Sequence, residues 1–110
     1  MSEHSDEPRW LERRVIEQIH REQLREHGGT FGLRDETRLE ASLSRPRSAW
    51  HYDKTTDLCV LAALYAHGVV SSDPFVDGNK RTGFLAAYIF LRLNGLALTA
   101  DNVDVVVAVR

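Results

Sequence analysis

Cysteine occurs once in the 110 residues, as Cys59, so no intramolecular disulfide can form, and its place inside an apolar helical run gives it a core role. The five histidines, His4, His20, His27, His51 and His67, have no zinc-type spacing with cysteine or with one another, and none is read as a metal ligand. No Gly-x-Gly or Gly-Lys pair is present, which argues against Rossmann and P-loop phosphate binding. The longest unbroken apolar run, Leu58 to Ala66, falls well short of the ~20 residues a membrane helix needs. Nor is there a signal-peptide pattern: the start, Met1-Ser2-Glu3-His4-Ser5-Asp6-Glu7, is acidic and polar. With a net charge of −2 the chain has no general basic field for nucleic acid. These absences leave a cytoplasmic protein with no membrane contact and no direct nucleic-acid partner as the expectation. At 43% hydrophobic and 27% charged, the composition is that of a globular chain. Residues 1–110 make one domain, with room to bury roughly two-thirds of the unfolded surface.

One stretch organises the rest. Asp73-Pro74-Phe75-Val76-Asp77-Gly78-Asn79-Lys80-Arg81-Thr82-Gly83 sets polar, charged and turn-forming residues between two apolar runs, Leu58–Ala66 and Phe84–Leu91. Neither run alternates with period two, so both read as buried helices. A helix starting at Asn79 presents unpaired N–H groups and the positive end of its dipole, which makes its first turn an anion site. Lys80 and Arg81 are electrostatically unfavourable in that turn, which suggests an anionic ligand that offsets the repulsion. Gly78 lets a ligand approach the backbone, and Asp77 supplies a hard oxygen for the Mg²⁺ that accompanies phosphates. The implied ligand is a nucleotide polyphosphate. A blander reading covers each residue singly: Asp77-Gly78 as a turn pair, Asn79 as an N-cap, Lys80 and Arg81 as solvated charges.

The stretch Asp73 to Arg81 resembles the signature of the Fic/Doc family, His-x-Phe-x-Asp/Glu-Gly/Ala-Asn-Gly/Lys-Arg, at every position but the first. That first residue is the family's general-base histidine; Asp73 stands in its place. Lysine at the position of Lys80 is similar to the Doc (death-on-curing) toxin branch, and His20 with His27-Gly28-Gly29 resembles the start of Doc-like chains. The resemblance implies an all-α, compact helical bundle with the motif loop between two buried central helices. It implies transfer of the ATP γ-phosphate to a hydroxyl of elongation factor Tu, with Mg²⁺, under the control of a Phd-like antitoxin. By the same resemblance Asp77 holds Mg²⁺, Gly78 and Asn79 meet the phosphates, Lys80 and Arg81 stabilise developing charge, and Phe75 anchors the loop. An aspartate, with a pKa near ~3.9 against ~6.5 for histidine, is the weaker base, so activity is expected to be impaired. Asp73 also has readings as a working base, since protein kinases use an aspartate, as a companion of Asp77 around Mg²⁺, or as a plain turn residue before Pro74. The alternatives are AMP transfer, as in the Fic branch, and a non-catalytic module that holds nucleotide or antitoxin. No Ser or Thr stands four residues before a Glu, so the inhibitory Ser/Thr-x-x-x-Glu segment of many relatives is missing.

Around this centre a first helix is predicted from about Pro8 to His27, with Trp10, Leu11, Val15, Ile16, Ile19 and Leu24 on one face and a Glu17–Arg21 pair on the other. A second starts at an Asp35 cap and stops at Leu43 or Ser44, before Pro46. Residues 44–53 then form a segment in which Trp50 and Tyr52 are candidates for the family's target-positioning flap, or for aromatics packed under a loop. Thr55 or Thr56 caps the third helix, and the fourth runs from Asn79 to Leu93 or Asn94, closed by Gly95. Thr99–Arg110 is expected to be a helix rather than a strand, although Val103, Val105, Val106, Val107 and Val109 suit either. Doc-like chains continue past this point, so the C-terminus reads as shortened, with an apolar strip left for an antitoxin or a second copy.

Overall fold

The computed structural model describes residues 7–96; the expected C-terminal helix over Thr99–Arg110 lies outside the described residues. Four helices make up the fold: α1 (Arg13–His27), α2 (Glu36–Tyr52), α3 (Leu58–Ser72) and α4 (Asn79–Leu93). Among the described residues there is no strand, only an isolated bridge between Leu33 and Phe75, so the architecture is all-α as expected. Helix α3 packs between α2 and α4, and α1 covers the other side of α4.

The tightness of the α3–α4 seam follows from its small residues. Ala62, Ala63 and Ala66 of α3 and Gly83, Ala86 and Ala87 of α4 are small and all buried. A Cβ at Gly83 would lie 3.1 Å from the carbonyl oxygen of Ala66 and 3.0 Å from a methyl of Val70, so the two backbones approach as closely as a side-chain-free position permits. Tyr65 and Phe90, both fully buried, fill the wider end of the seam with ring centroids 5.1 Å apart. Burial holds the Tyr65 phenol above its ordinary pKa, opposed by the Leu11 N–H that its oxygen accepts at 3.0 Å. Burial likewise raises the Cys59 thiol, with the Asp57 carboxylate adding to the effect. Helix α4 ends in a Schellman motif, with Gly95 in the left-handed region, Leu96 N–H on Leu91 O and Gly95 N–H on Arg92 O.

Several boundaries differ from expectation, each for a visible reason. Helix α1 starts at Arg13 rather than Pro8, because residues 9–11 are held out of a helix by contacts with α3 and α4. Trp10 stacks on Phe90, Leu11 N–H meets the Tyr65 hydroxyl, and Arg9 exchanges main-chain bonds with the Asn94 amide. Glu17 pairs with Arg13 rather than Arg21, and Arg13 also reaches Glu36 and Glu40 of α2. Helix α2 continues through Pro46 to Tyr52. An interior proline costs about 3 kcal/mol, but the Pro46 ring is buried and the next turn places Ala49 in the core and Trp50 against Trp10, 6.4 Å between centroids. The α3 cap is Asp57, which accepts from Cys59 N–H, not Thr55 or Thr56.

Candidate functional site

Helix α3 stops where Asp73 turns into the left-handed region, φ 51° and ψ 57°, its N–H still bonded to Val69 O. Few residues other than glycine adopt this conformation readily; Asp, Asn and His are the ones enriched there. The chain then crosses to α4 in the short loop Pro74–Gly78, which is tied down at several points. Pro74 O accepts from Arg34 N–H at 2.7 Å and Asp35 N–H at 3.0 Å, and Val76 N–H donates to Gly32 O. Asn79 clasps Phe75 from both sides: its Oδ1 accepts the Phe75 N–H at 3.0 Å and its Nδ2 donates to Phe75 O at 2.8 Å. The Phe75 ring is buried in the core. Asp77 is held twice, its carbonyl by His20 Nε2 at 2.8 Å and its carboxylate Oδ2 by Thr30 N–H at 2.9 Å.

The loop delivers the start of α4 to the surface in an unusual electrostatic state. Gly78, at φ 79°, is the N-cap and offers no side chain, whereas α2 and α3 are capped by Asp35 and Asp57. The first turn contains no acidic residue. Thr82 N–H is the first to bond back, to Gly78 O, which leaves the N–H groups of Asn79, Lys80 and Arg81 without an acceptor among the described residues. Lys80 and Arg81 are exposed and form no ion pair with any described residue. Three N–H groups and two cations therefore share one helix end, which is a chemical environment for an anion.

A match to the family model described as Fic/DOC family extends over residues 10–91, the greater part of the chain. The chain belongs to the Fic/Doc family. Among curated relatives, the protein kinase doc of Escherichia phage P1 is 35% identical over 78 residues, covering 71% of this chain and 62% of that protein. Toxin Doc of Mycolicibacterium smegmatis is 37% identical over 75 residues, covering 67% of this chain and 58% of the relative. The chain thus spans about three-fifths of the length of the Doc proteins it matches.

Within this Fic/Doc domain, the motif residues Asp73, Phe75, Asp77, Gly78, Asn79, Lys80 and Arg81 occupy the α3–α4 connection as the sequence implied. The Asn79 side chain, expected to meet phosphates, is instead committed to Phe75, which leaves its main-chain N–H for a ligand. Trp50 and Tyr52 do not sit on a loop: both belong to the last turns of α2, with Trp50 packed on Trp10 and Tyr52 82% exposed. The segment that runs beside the motif is 30–35, where Leu33 bridges Phe75 and Phe31 is 61% exposed. Two bulky apolar residues, Phe31 and Leu33, spaced by Gly32, are the sequence signal for this segment. His20, which the sequence offered only as part of a resemblance to the start of Doc-like chains, also lies at the site. Four per cent exposed on α1, it stacks on Phe75 with ring centroids 3.8 Å apart and 11° between planes. A hollow of about 260 Å³ between α1 and segment 31–33 is lined by His20, Phe75, Glu17, Arg21 and Phe31.

No group of three His, Cys, Asp or Glu side chains among the described residues is placed to hold a metal. Asp77 is a lone carboxylate with one oxygen engaged. That donor set fits Mg²⁺, which is commonly bound through one or two carboxylates together with substrate phosphates and waters, and does not fit an all-protein metal cage.

Proposed function

We propose that this domain is a Doc-like toxin domain that binds the polyphosphate of ATP at the start of α4 and transfers the γ-phosphate to a hydroxyl of elongation factor Tu. The observation that carries the reading is the uncapped first turn of α4, with two cations and three N–H groups that have no partner among the described residues, on a loop fixed by Asn79 and Phe75. The naming of the phage P1 relative as a protein kinase supports the phosphate-transfer form. The main-chain N–H groups beside Gly78 hold the phosphate oxygens, and Lys80 and Arg81 offset the charge that develops as the phosphoryl group departs. Asp77 is the residue that would hold Mg²⁺, which when bound neutralises phosphate charge. The fixed loop supplies positioning, the larger part of what such a transfer requires.

Asp73 is the weak link. Its carboxylate accepts a hydroxyl proton less readily at neutral pH than an imidazole would, so transfer is slow in this chain. Histidine shares the left-handed preference that Asp73 satisfies, so Asp73→His restores a base without breaking the turn. Control comes from a separate Phd-like antitoxin, and the setting is the cytoplasm; among the described residues no helix is long and apolar enough to cross a membrane. A second reading, a nucleotide-holding module without transfer, is favoured by the aspartate itself at the base position.

The test incubates the protein and its Asp73→His variant with elongation factor Tu and ATP labelled at the α- or γ-phosphate. Label from the γ position on the factor, stronger with Asp73→His, is the expected result. Label from the α position selects AMP transfer, and no label from either source with the variant contradicts both transfer reactions.

A further inference from the structure

We infer that His20, a residue of α1 outside the motif, is a positioning residue for the anion site, working as a latch on the Asp77–Gly78 backbone. The inference rests on the nucleotide-site reading for its purpose, though not for its geometry. Three contacts converge on one imidazole. Its face lies on the Phe75 ring, 3.8 Å between centroids and nearly parallel. Its Nε2 lies 2.8 Å from Asp77 O. Its edge closes on Gly78, where an added Cβ would stand 3.6 Å from Cδ2 and 3.8 Å from Nε2.

Chemistry fixes the proton. A carbonyl oxygen only accepts, so Nε2 must carry the hydrogen. In the neutral ring that makes Nδ1 the bare nitrogen. The latch thus requires an aromatic face and a donor at the far end of the ring together, a combination that phenylalanine and glutamine each satisfy by half.

The consequence falls on α4. Asp77 O is the main-chain group next to the N-cap, so the direction of its peptide plane sets the direction of the Gly78 N–H and the entry into the first turn. Asn79 fixes the loop from the α4 side, through Phe75; His20 fixes it from the α1 side. A site that positions phosphate within a fraction of an ångström needs this outer support.

The test compares wild type, His20→Phe and His20→Gln. Long-range ¹H–¹⁵N correlation spectra of the wild type should show the Nε2–H tautomer, and this readout needs neither a variant nor a ligand. Amide exchange at Phe75 and Val76, measured against Tyr65 in the core, should accelerate about tenfold in His20→Phe, the equivalent of one lost hydrogen bond. Glutamine, whose Nε2 stands where the ring nitrogen stood, should recover most of that loss. Mg-ATP titration should weaken in the same order. The Nδ1–H tautomer in the wild type overturns the proposal, as does unchanged exchange at Phe75 and Val76 in a folded His20→Phe protein. If the tautomer and exchange results appear but no variant or parent binds Mg-ATP, the latch stands and the nucleotide reading falls.

Discussion

Replacing Asn79 by alanine removes both bonds that hold Phe75 to the start of α4, at 3.0 and 2.8 Å. Each contributes about 1 kcal/mol net. Alanine returns up to about 0.7 kcal/mol through its better helix propensity, so the variant should lose roughly 1.5 kcal/mol. In a chain of this size that lowers Tm by about 6 °C. The loss is local before it is global. Amide exchange at Phe75, which loses both bonds, should therefore rise about thirtyfold, while Tyr65 and Phe90, in the seam, follow the global change of about tenfold. Asn79→Asp separates clasp from charge. It keeps the acceptor for Phe75 N–H, loses the donor, and adds a carboxylate where a helix start favours one by about 0.3–1 kcal/mol. Stability should fall less than in the alanine variant, yet Mg-ATP binding should fall further, because the new charge opposes the phosphates. Asn79→Ala with unchanged Phe75 exchange and unchanged Tm would refute the claim that this side chain closes the loop.

Other outcomes follow from the same geometry. Tyr65→Phe should destabilise by about 1–3 kcal/mol in denaturant titration, because it leaves the buried Leu11 N–H without its acceptor. Burial raises the Tyr65 pKa, so its contribution is complete below the ordinary phenol value of ~10 and is lost as pH climbs through the higher folded value; the Tyr65→Phe variant should show a smaller alkaline loss of stability. Asp57→Ala should lower stability by about 1 kcal/mol through loss of the α3 cap, measured by thermal melting. Gly83→Val should unfold the seam or shift Tm sharply downward, since an added Cβ would stand 3.0 Å from a Val70 methyl and 3.1 Å from the Ala66 carbonyl oxygen, a backbone atom that cannot turn aside.

The helical class and both central helices were legible because an unbroken apolar run flanked by turn residues admits few other structures. The α4 boundaries came from local chemistry alone, a positive-φ Gly78 before the helix and Gly95 after it. Tertiary contacts decided what local rules missed. Pro46 reads as a helix stop, yet the packing of Ala49 and Trp50 beyond it keeps α2 going. Pro8 reads as a first helical residue, yet the hold of Asn94 on Arg9 and of Tyr65 on Leu11 keeps that segment out of a helix. At the site, the motif residues were visible and their internal bonds were not. The bonds of the Asn79 side chain to Phe75 are announced by no motif position, and the partnership of His20 with Asp77 spans 57 residues of chain, beyond any spacing rule.

Calorimetric titration with Mg-ATP, run on the wild type and on a Lys80→Ala, Arg81→Ala double variant, goes most directly to whether the cationic first turn of α4 exists to receive a polyphosphate. The expected result is saturable binding of the triphosphate, weaker binding of AMP, and loss of the difference between them in the double variant with Tm unchanged. Equal binding of ATP and AMP by the wild type, or an undiminished preference for ATP once both cations are gone, would contradict it.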